Sequence, residues 1–288
     1  CRGSSPTNTH KVCINLAGGY RNGMEFILTG LDIEEKAQII SDALFNSVGG
    51  KEQFDEVSIL LDRTDKKDPN SNEEAMASLR ISVKSKDADL VGRMFTAKMV
   101  ELALANYPGL YMGGAVRSGG PVLVYWPALI DSKHIKETVH IDGKEINVMP
   151  TNQLDLEETY YQKQPVEIPP PPSGETLNKP LGELFGARSG DKGGCANIGV
   201  WAKNQNAFSF LNNYLTIEKI KELMPDISEF KIDRYELPNI LSLNFYIHDI
   251  LEDGVSSNTR KDGQAKSLGE YLRAKYADIP KSLLEENI

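Results

Sequence analysis

The chain has 288 residues, enough for two domains each with its own core. Its 32 basic and 41 acidic residues give a net charge of −9 and a pI near 5.1, which excludes a general pull toward nucleic acid or an anionic membrane, so any anion must be held by a local site. No apolar run approaches the roughly 18–20 residues of a membrane helix, and Cys1, Cys13 and Cys195 form no CxxC pair, which reads as a reducing, cytoplasmic setting.

The first domain is expected over residues 1–150. Residues 12–16 and 24–28 look like strands joined through Gly18-Gly19. Asp32 with Glu35 forms a capping-box pattern, and Ile33, Ala37, Ile40, Leu44 and Val48 recur at helical spacing. A strand over 57–61, a polar loop and an alternating strand over 76–83 follow. Residues 88–105 return to helix, with Leu90, Met94, Ala97, Val100 and Leu104 on one face and Pro108 as the stop. A strand over 122–126 closes an α+β sandwich with helices on one side of the sheet.

Seven of the fifteen prolines lie between 150 and 180, four of them consecutive at Pro169 to Pro172. Such a run holds an extended, semi-rigid geometry, so residues 151–177 read as a Pro-rich linker between two α/β sandwich domains. The second domain, 178–288, shows strands over 181–187 and 197–202 around a glycine-rich loop. A helix stripe of Ile217, Ile220, Leu223 and Met224 ends at Pro225, two strands cover 230–237 and 241–248, and Ser267 with Glu270 repeats the capping-box pattern. The order ββαββα predicts a ferredoxin-like sandwich.

The most informative stretch is Ala187-Arg188-Ser189-Gly190-Asp191-Lys192-Gly193-Gly194-Cys195-Ala196-Asn197-Ile198-Gly199. Glycines let backbone N–H groups converge on an anion, and Arg188 and Lys192 would add charge. Asp191 would move a proton or orient the cations. The spacing is neither a Walker loop nor a dinucleotide fingerprint, and a tight hairpin with a solvated Asp-Lys pair is the plain alternative. A second Arg-Ser-Gly loop at Arg117 offers a further anion contact or a surface hairpin. The four histidines, His10, His134, His140 and His248, show no metal-ligand spacing, so no zinc or other metal site is expected; no cofactor is expected either. His248 followed by Asp249 is an acid/base candidate or an edge histidine. Cys195 is a thiol activated by Arg188 and Lys192 or a small buried residue.

Residues 184–194 together with Ala196-Asn197-Ile198-Gly199-Val200 resemble the signature of the acyclic terpene utilisation (AtuA-like) family. Tyr235-Glu236-Leu237-Pro238-Asn239, Leu243-Asn244-Phe245, Gly254-Val255-Ser256 and Trp126-Pro127-Ala128-Leu129 match it as well. The resemblance implies a C-terminal ferredoxin-like domain and a larger α/β region upstream, so residues 2–7 read as the junction with a missing upstream half. It also implies catabolism of acyclic terpenoids through branched acyl-CoA intermediates, without assigning a role to any residue.

These readings combine into one expectation. The chain is an enzyme or enzyme subunit for a small-molecule carboxylate or acyl-CoA, with Asp191 and Lys192 as catalytic candidates. Arg188, Ser189, Gly190, Gly193, Gly194, Asn197 and Arg117 would bind the substrate. The alternative is a non-catalytic assembly module for a separate catalytic half. A homo-oligomer is expected, with no nucleic-acid or membrane partner.

Overall fold

The computed structural model describes residues 7–104, 107–148 and 166–285. Much of the expected linker and the junction at residues 2–6 lie outside the described residues. The chain divides into two compact units. One consists of Leu16–Val124 with Ser256–Lys261, the other of the described parts of Cys1–Asn15, Tyr125–Val255 and Asp262–Ile288.

The first unit takes β1 (Thr9–Thr29), whose opening residues belong to the other unit, then α1 (Ile33–Ser47), β2 (Glu56–Asp62), β3 (Met76–Ser85), α2 (Phe95–Leu104), β4 (Tyr111–Met112) and the start of β5 (Gly120–Asp131). The sheet order is β2-β3-β1-β4, with β5 also on β1. Strand alternation puts Met24, Phe26 and Leu28 of β1 and Ala77, Leu79, Ile81 and Val83 of β3 on one face, buried with Ile33, Ile40 and Leu44 of α1 and with Phe95 and Met99 of α2. Each of these side chains except Ala77 contributes about 1.5–3 kcal/mol by leaving water. Phe54 meets Phe45 and Phe95 edge-on, at centroid distances of 6.1 and 5.5 Å.

Three expectations for this region are corrected. Gly18-Gly19 is no turn, because β1 runs unbroken through it. Gly18 instead lets Val122 and Val124 approach, and Gly19, at φ +95°, abuts the Ser85 carbonyl. Asp32 makes no capping bond, since its own backbone is left-handed at φ 57°. In α2 the buried residues are Phe95, Thr96 and Met99, while Met94 and Leu104 are exposed. Gly92 breaks the preceding turn, Leu90–Met94, with a non-helical ψ of −127° and so rotates the apolar stripe.

The second unit carries the β6 (Glu137–Ile141) and β7 (Lys144–Val148) hairpin, then β8 (Thr176–Pro180), β9 (Gly186–Lys192), β10 (Cys195–Trp201), α3 (Gln205–Tyr214), α4 (Ile217–Leu223), β11 (Ile232–Leu237), β12 (Ser242–Ile247), α5 (Leu268–Arg273), β13 (Tyr276–Pro280) and α6 (Lys281–Glu285). Its main sheet is antiparallel with the order β11-β12-β10-β9, and β13 pairs with β8 apart from it. This is the expected ββαββα ferredoxin-like sandwich. Ala196, Ile198, Val200, Leu243, Phe245 and Ile247 form one buried face, packed with Phe208 and Leu211 of α3, Ile220 of α4 and Leu268 and Leu272 of α5.

Asn204 and Thr216 cap α3 and α4 by accepting from Ala207 N and Lys219 N. The second expected capping box does not form. Ser267 makes no cap bond to α5, and the Asp262 carboxylate takes Lys266 N, Ser267 N and Ser267 Oγ instead. The strand expected over 181–187 is a 3₁₀ turn at Leu181–Glu183, with β9 beginning at Gly186.

Candidate functional site

The glycine-rich stretch is a β-hairpin rather than an open loop. β9 and β10 pair from Gly186↔Trp201 to Lys192↔Cys195, leaving Gly193-Gly194 as a two-residue turn. Gly193 has φ 68°, a conformation that glycine adopts without steric cost. A Cβ on Gly194 would overlap the Glu252 carbonyl oxygen, and the Gly194 carbonyl accepts from Leu251 N at 2.8 Å. The two turn glycines therefore dock the hairpin tip on the 249–254 loop and against Tyr125, which lies 3.2 Å from where a Gly193 Cβ would stand.

Pairing also sorts the signature residues by face. Successive strand side chains point to opposite sides. Ala187, Ser189 and Asp191 lie opposite Val200, Ile198 and Ala196, on the helix-covered side. Arg188, Gly190 and Lys192 lie opposite Gly199, Asn197 and Cys195, on the side away from the helices, the open side, where Arg188 and Lys192 are exposed and Gly190 itself is buried. The buried Ser189 hydroxyl accepts from Gly269 N at 2.9 Å, at the start of α5. Gly269 has no side chain there because a Cβ would meet the Arg188 backbone at 3.2 Å.

On the open side, Arg188 and Lys192 are exposed and stand about 13 Å apart along the strand, with side-chain-free Gly190 between them. Lys266 approaches the same gap. Its Nζ lies 3.4 Å from where a Gly190 Cβ would stand and 3.7 Å from Asp191 Oδ1. Asp191 thus pairs with a cation that the sequence reading did not single out. Lys192 Nζ donates to the Asp191 carbonyl at 3.0 Å. Asn197, opposite Gly190, donates from Nδ2 to Asn244 Oδ1 at 2.9 Å.

The same face continues across β12 and β11. Tyr246 lies opposite Asn197 and Asp233. His248 Nε2 is 2.7 Å from Asp233 Oδ2, so Asp233, not the neighbouring Asp249, orients the ring. The His248 contact holds the Asp233 carboxyl below its usual range. Tyr246 stacks edge-on against His248 at 4.9 Å between centroids. Its phenol is pushed up to about 12, first by the Cys195 thiol beside it and then by burial, and Cys195 Sγ accepts from Asp249 N at 3.4 Å. Asp233 and Tyr246 escaped the sequence reading. The available signal was the alternation along β12 and just past its end, where Asn244, Tyr246 and His248 interleave with the apolar Leu243, Phe245 and Ile247, Asn244 and Tyr246 pairing with Tyr235 and Asp233 of β11.

Arg117 belongs to the five-stranded unit. It is exposed, and its carbonyl accepts from Asn22 Nδ2 at 3.0 Å. Among the described residues, no group of three or more His, Cys, Asp or Glu is placed to hold a metal, and no helix is long and apolar enough to cross a membrane.

Comparison with known proteins agrees with the signature. A family model described as acyclic terpene utilisation family protein AtuA matches residues 1–141, and one described as AtuA ferredoxin-like domain matches residues 179–277. No curated protein and no solved structure matches the chain. Two models of one family, the second lying on the ββαββα sheet that carries the signature hairpin, show that the chain belongs to the acyclic terpene utilisation (AtuA) family.

Proposed function

We propose that the chain works in acyclic terpene utilisation by handling an extended, branched-chain carboxylate or its CoA thioester on the open face of the ferredoxin-like sheet. One observation carries this reading. In a chain of net charge −9, three cations, Arg188, Lys192 and Lys266, flank the side-chain-free Gly190. Cations set by strand register and by Asp191 offset the repulsion an anion meets from the rest of the protein. Of the two roles open to Asp191, orienting a cation is the one its contact with Lys266 favours.

His248 is the group suited to moving a proton. The Asp233 carboxylate lies against Nε2, so in the tautomer that donates Nε2–H to it the other ring nitrogen, Nδ1, is the one that can accept a proton. His248 lies two strands away from Gly190, at about 12 Å by strand spacing and rise, so the ligand must be long rather than compact. A second reading, a docking module, draws on Trp201, Tyr235 and Leu237, all exposed on this face.

Thermal-shift titration with coenzyme A, inorganic phosphate and a branched acyl-CoA thioester tests the proposal. The thioester is expected to raise the melting temperature, and the Arg188→Gln/Lys192→Gln variant to abolish the rise. His248→Ala should keep the rise and lose turnover. A thioester shift in excess of that given by inorganic phosphate and coenzyme A that is equal in wild type and double variant refutes the site, and no such excess supports docking.

A further inference from the structure

The five-stranded unit holds a second cation cluster, on the sheet face opposite its helices. Register places Glu56, Lys84 and Arg21 in one row, Ser58, Ser82 and Gly23 in the next, and Leu60, Arg80 and Glu25 in the third. The middle row carries only two hydroxymethyl groups and a glycine. A Cβ on Gly23 would stand 2.8 Å from both Ser82 Oγ and the Ile81 carbonyl, so the floor is closed to a larger side chain. Arg21 and Lys84 therefore stand on one side of a polar floor and Arg80 on the other.

Segment Ser256–Lys261, part of the same unit, lies against this face as a strap. Arg21 Nη1 donates to the Asn258 carbonyl at 2.8 Å and Arg80 Nη2 to the Thr259 carbonyl at 2.9 Å. Lys84 Nζ is 2.6 Å from Glu56 Oε2 and 3.5 Å from Ser257 Oγ. Ser257 and Asn258 are 3% and 2% exposed, so the strap is packed rather than draped. Glu25, the carboxylate nearest Arg80 in register, accepts instead from the Ser78 hydroxyl.

Neither Arg21 nor Arg80 has an ion-pair partner among the described residues, although the chain carries 41 carboxylate side chains. Each spends one guanidinium donor of five on a neutral carbonyl. Two half-buried guanidiniums left without a carboxylate are a standing cost that an anion removes, and their forks match a carboxylate or phosphate through paired bonds. We propose that Arg21, Arg80 and Lys84, with the Ser257 hydroxyl of the strap, form an oxyanion-binding site for a carboxylate or phosphate group, independent of the ferredoxin-like hairpin.

Isothermal titration of the full chain with inorganic phosphate, and separately with 3-methylbutanoate, tests this and tells the two sources of the oxyanion apart. One of the probes is expected to bind. Arg21→Gln and Arg80→Gln should each weaken that binding by about tenfold or more, as loss of a charge-assisted contact requires. Arg80→Lys keeps a donor for the Thr259 carbonyl and so holds the strap, yet should also weaken binding because the fork is gone. The same binding should persist, and stay sensitive to Arg21 and Arg80, in the Arg188→Gln/Lys192→Gln background, which removes any contribution from the hairpin. Three results each overturn the inference. These are no binding of either probe, binding unchanged in Arg80→Lys and Arg21→Gln, or binding lost only in the hairpin variant. A lowered melting temperature in the arginine variants without any change in binding would leave these residues as strap anchors alone, and would also overturn it.

Discussion

Alanine at four glycines of the signature hairpin, Gly190, Gly193, Gly194 and Gly199, should separate those that the backbone needs from the one that the proposed ligand needs. In Gly194→Ala the new Cβ falls on the Glu252 carbonyl oxygen, far inside the 3.0 Å that real Cβ contacts respect. Because the obstacle is backbone, the turn has to shift and the Leu251 N to Gly194 O bond at 2.8 Å is stretched. Overpacking costs about 1–3 kcal/mol and a lost hydrogen bond about 0.5–1.5, so a loss of about 2–4 kcal/mol is expected. At about 2–4 °C per kcal/mol for a chain of this size, the melting temperature should fall by on the order of 10 °C. Gly193→Ala forces a non-glycine residue to φ 68°, worth about 1–2 kcal/mol. Gly199→Ala meets nothing nearer than the Arg188 carbonyl at 3.8 Å and should be neutral. Gly190→Ala meets only the flexible end of Lys266 at 3.4 Å, so it should fold normally yet lose the ligand-dependent thermal shift. Differential scanning calorimetry with and without ligand reads all four. A Gly194→Ala protein as stable as wild type, or a Gly199→Ala protein as damaged as Gly194→Ala, would refute the hairpin docking.

Ser189→Ala removes the acceptor for a buried N–H at the start of α5. Urea denaturation should show a loss of about 1–3 kcal/mol, and an unchanged midpoint would mean that α5 does not depend on this contact. The Asp233–His248 pair predicts a pH dependence. Because the folded-state pKa of Asp233 lies below its ordinary value of 3.8, its contribution is fully present above that pH and is lost as pH falls through the lower folded value. The gap in urea midpoint between wild type and Asp233→Asn should therefore narrow in acid, and a gap independent of pH would rule out the linkage.

Apolar periodicity made most of the architecture legible in the sequence. The α1 stripe, the β3 alternation and the ββαββα order follow from burial period alone. What was misread lies where one residue overrides the pattern. Gly18-Gly19 has the look of a turn but serves close packing inside a strand. Gly92 turns the α2 stripe, a rotation that periodicity cannot register when the kink is backbone geometry. The capping boxes at Asp32 and Ser267 match in spacing but fail in conformation, one through a left-handed backbone and the other through competition from Asp262. For the site, composition located the hairpin, whereas Lys266 and Asp233 reach it only through tertiary contacts.

Strand alternation explains why the signature is a contiguous string although its residues do different work. Within Arg188 to Gly194, Ser189 and Asp191 take the helix-facing register, where Ser189 binds α5, while Asp191 pairs with Lys266, whose ammonium also reaches the Gly190 position. Gly193 and Gly194 shape the tip, and Arg188, Gly190 and Lys192 face the open sheet. A one-residue slip in the β9–β10 register would exchange these faces, burying the two cations and exposing the serine cap. Ser189 and the turn glycines resist that slip, because each has a partner at only one register. Arg188 and Lys192 are held outward by the contact of Ser189 on the other side of β9 and by the turn, so on the proposed function Ser189→Ala should lessen the thioester-dependent thermal shift without touching the ligand, and an unchanged shift would count against that function.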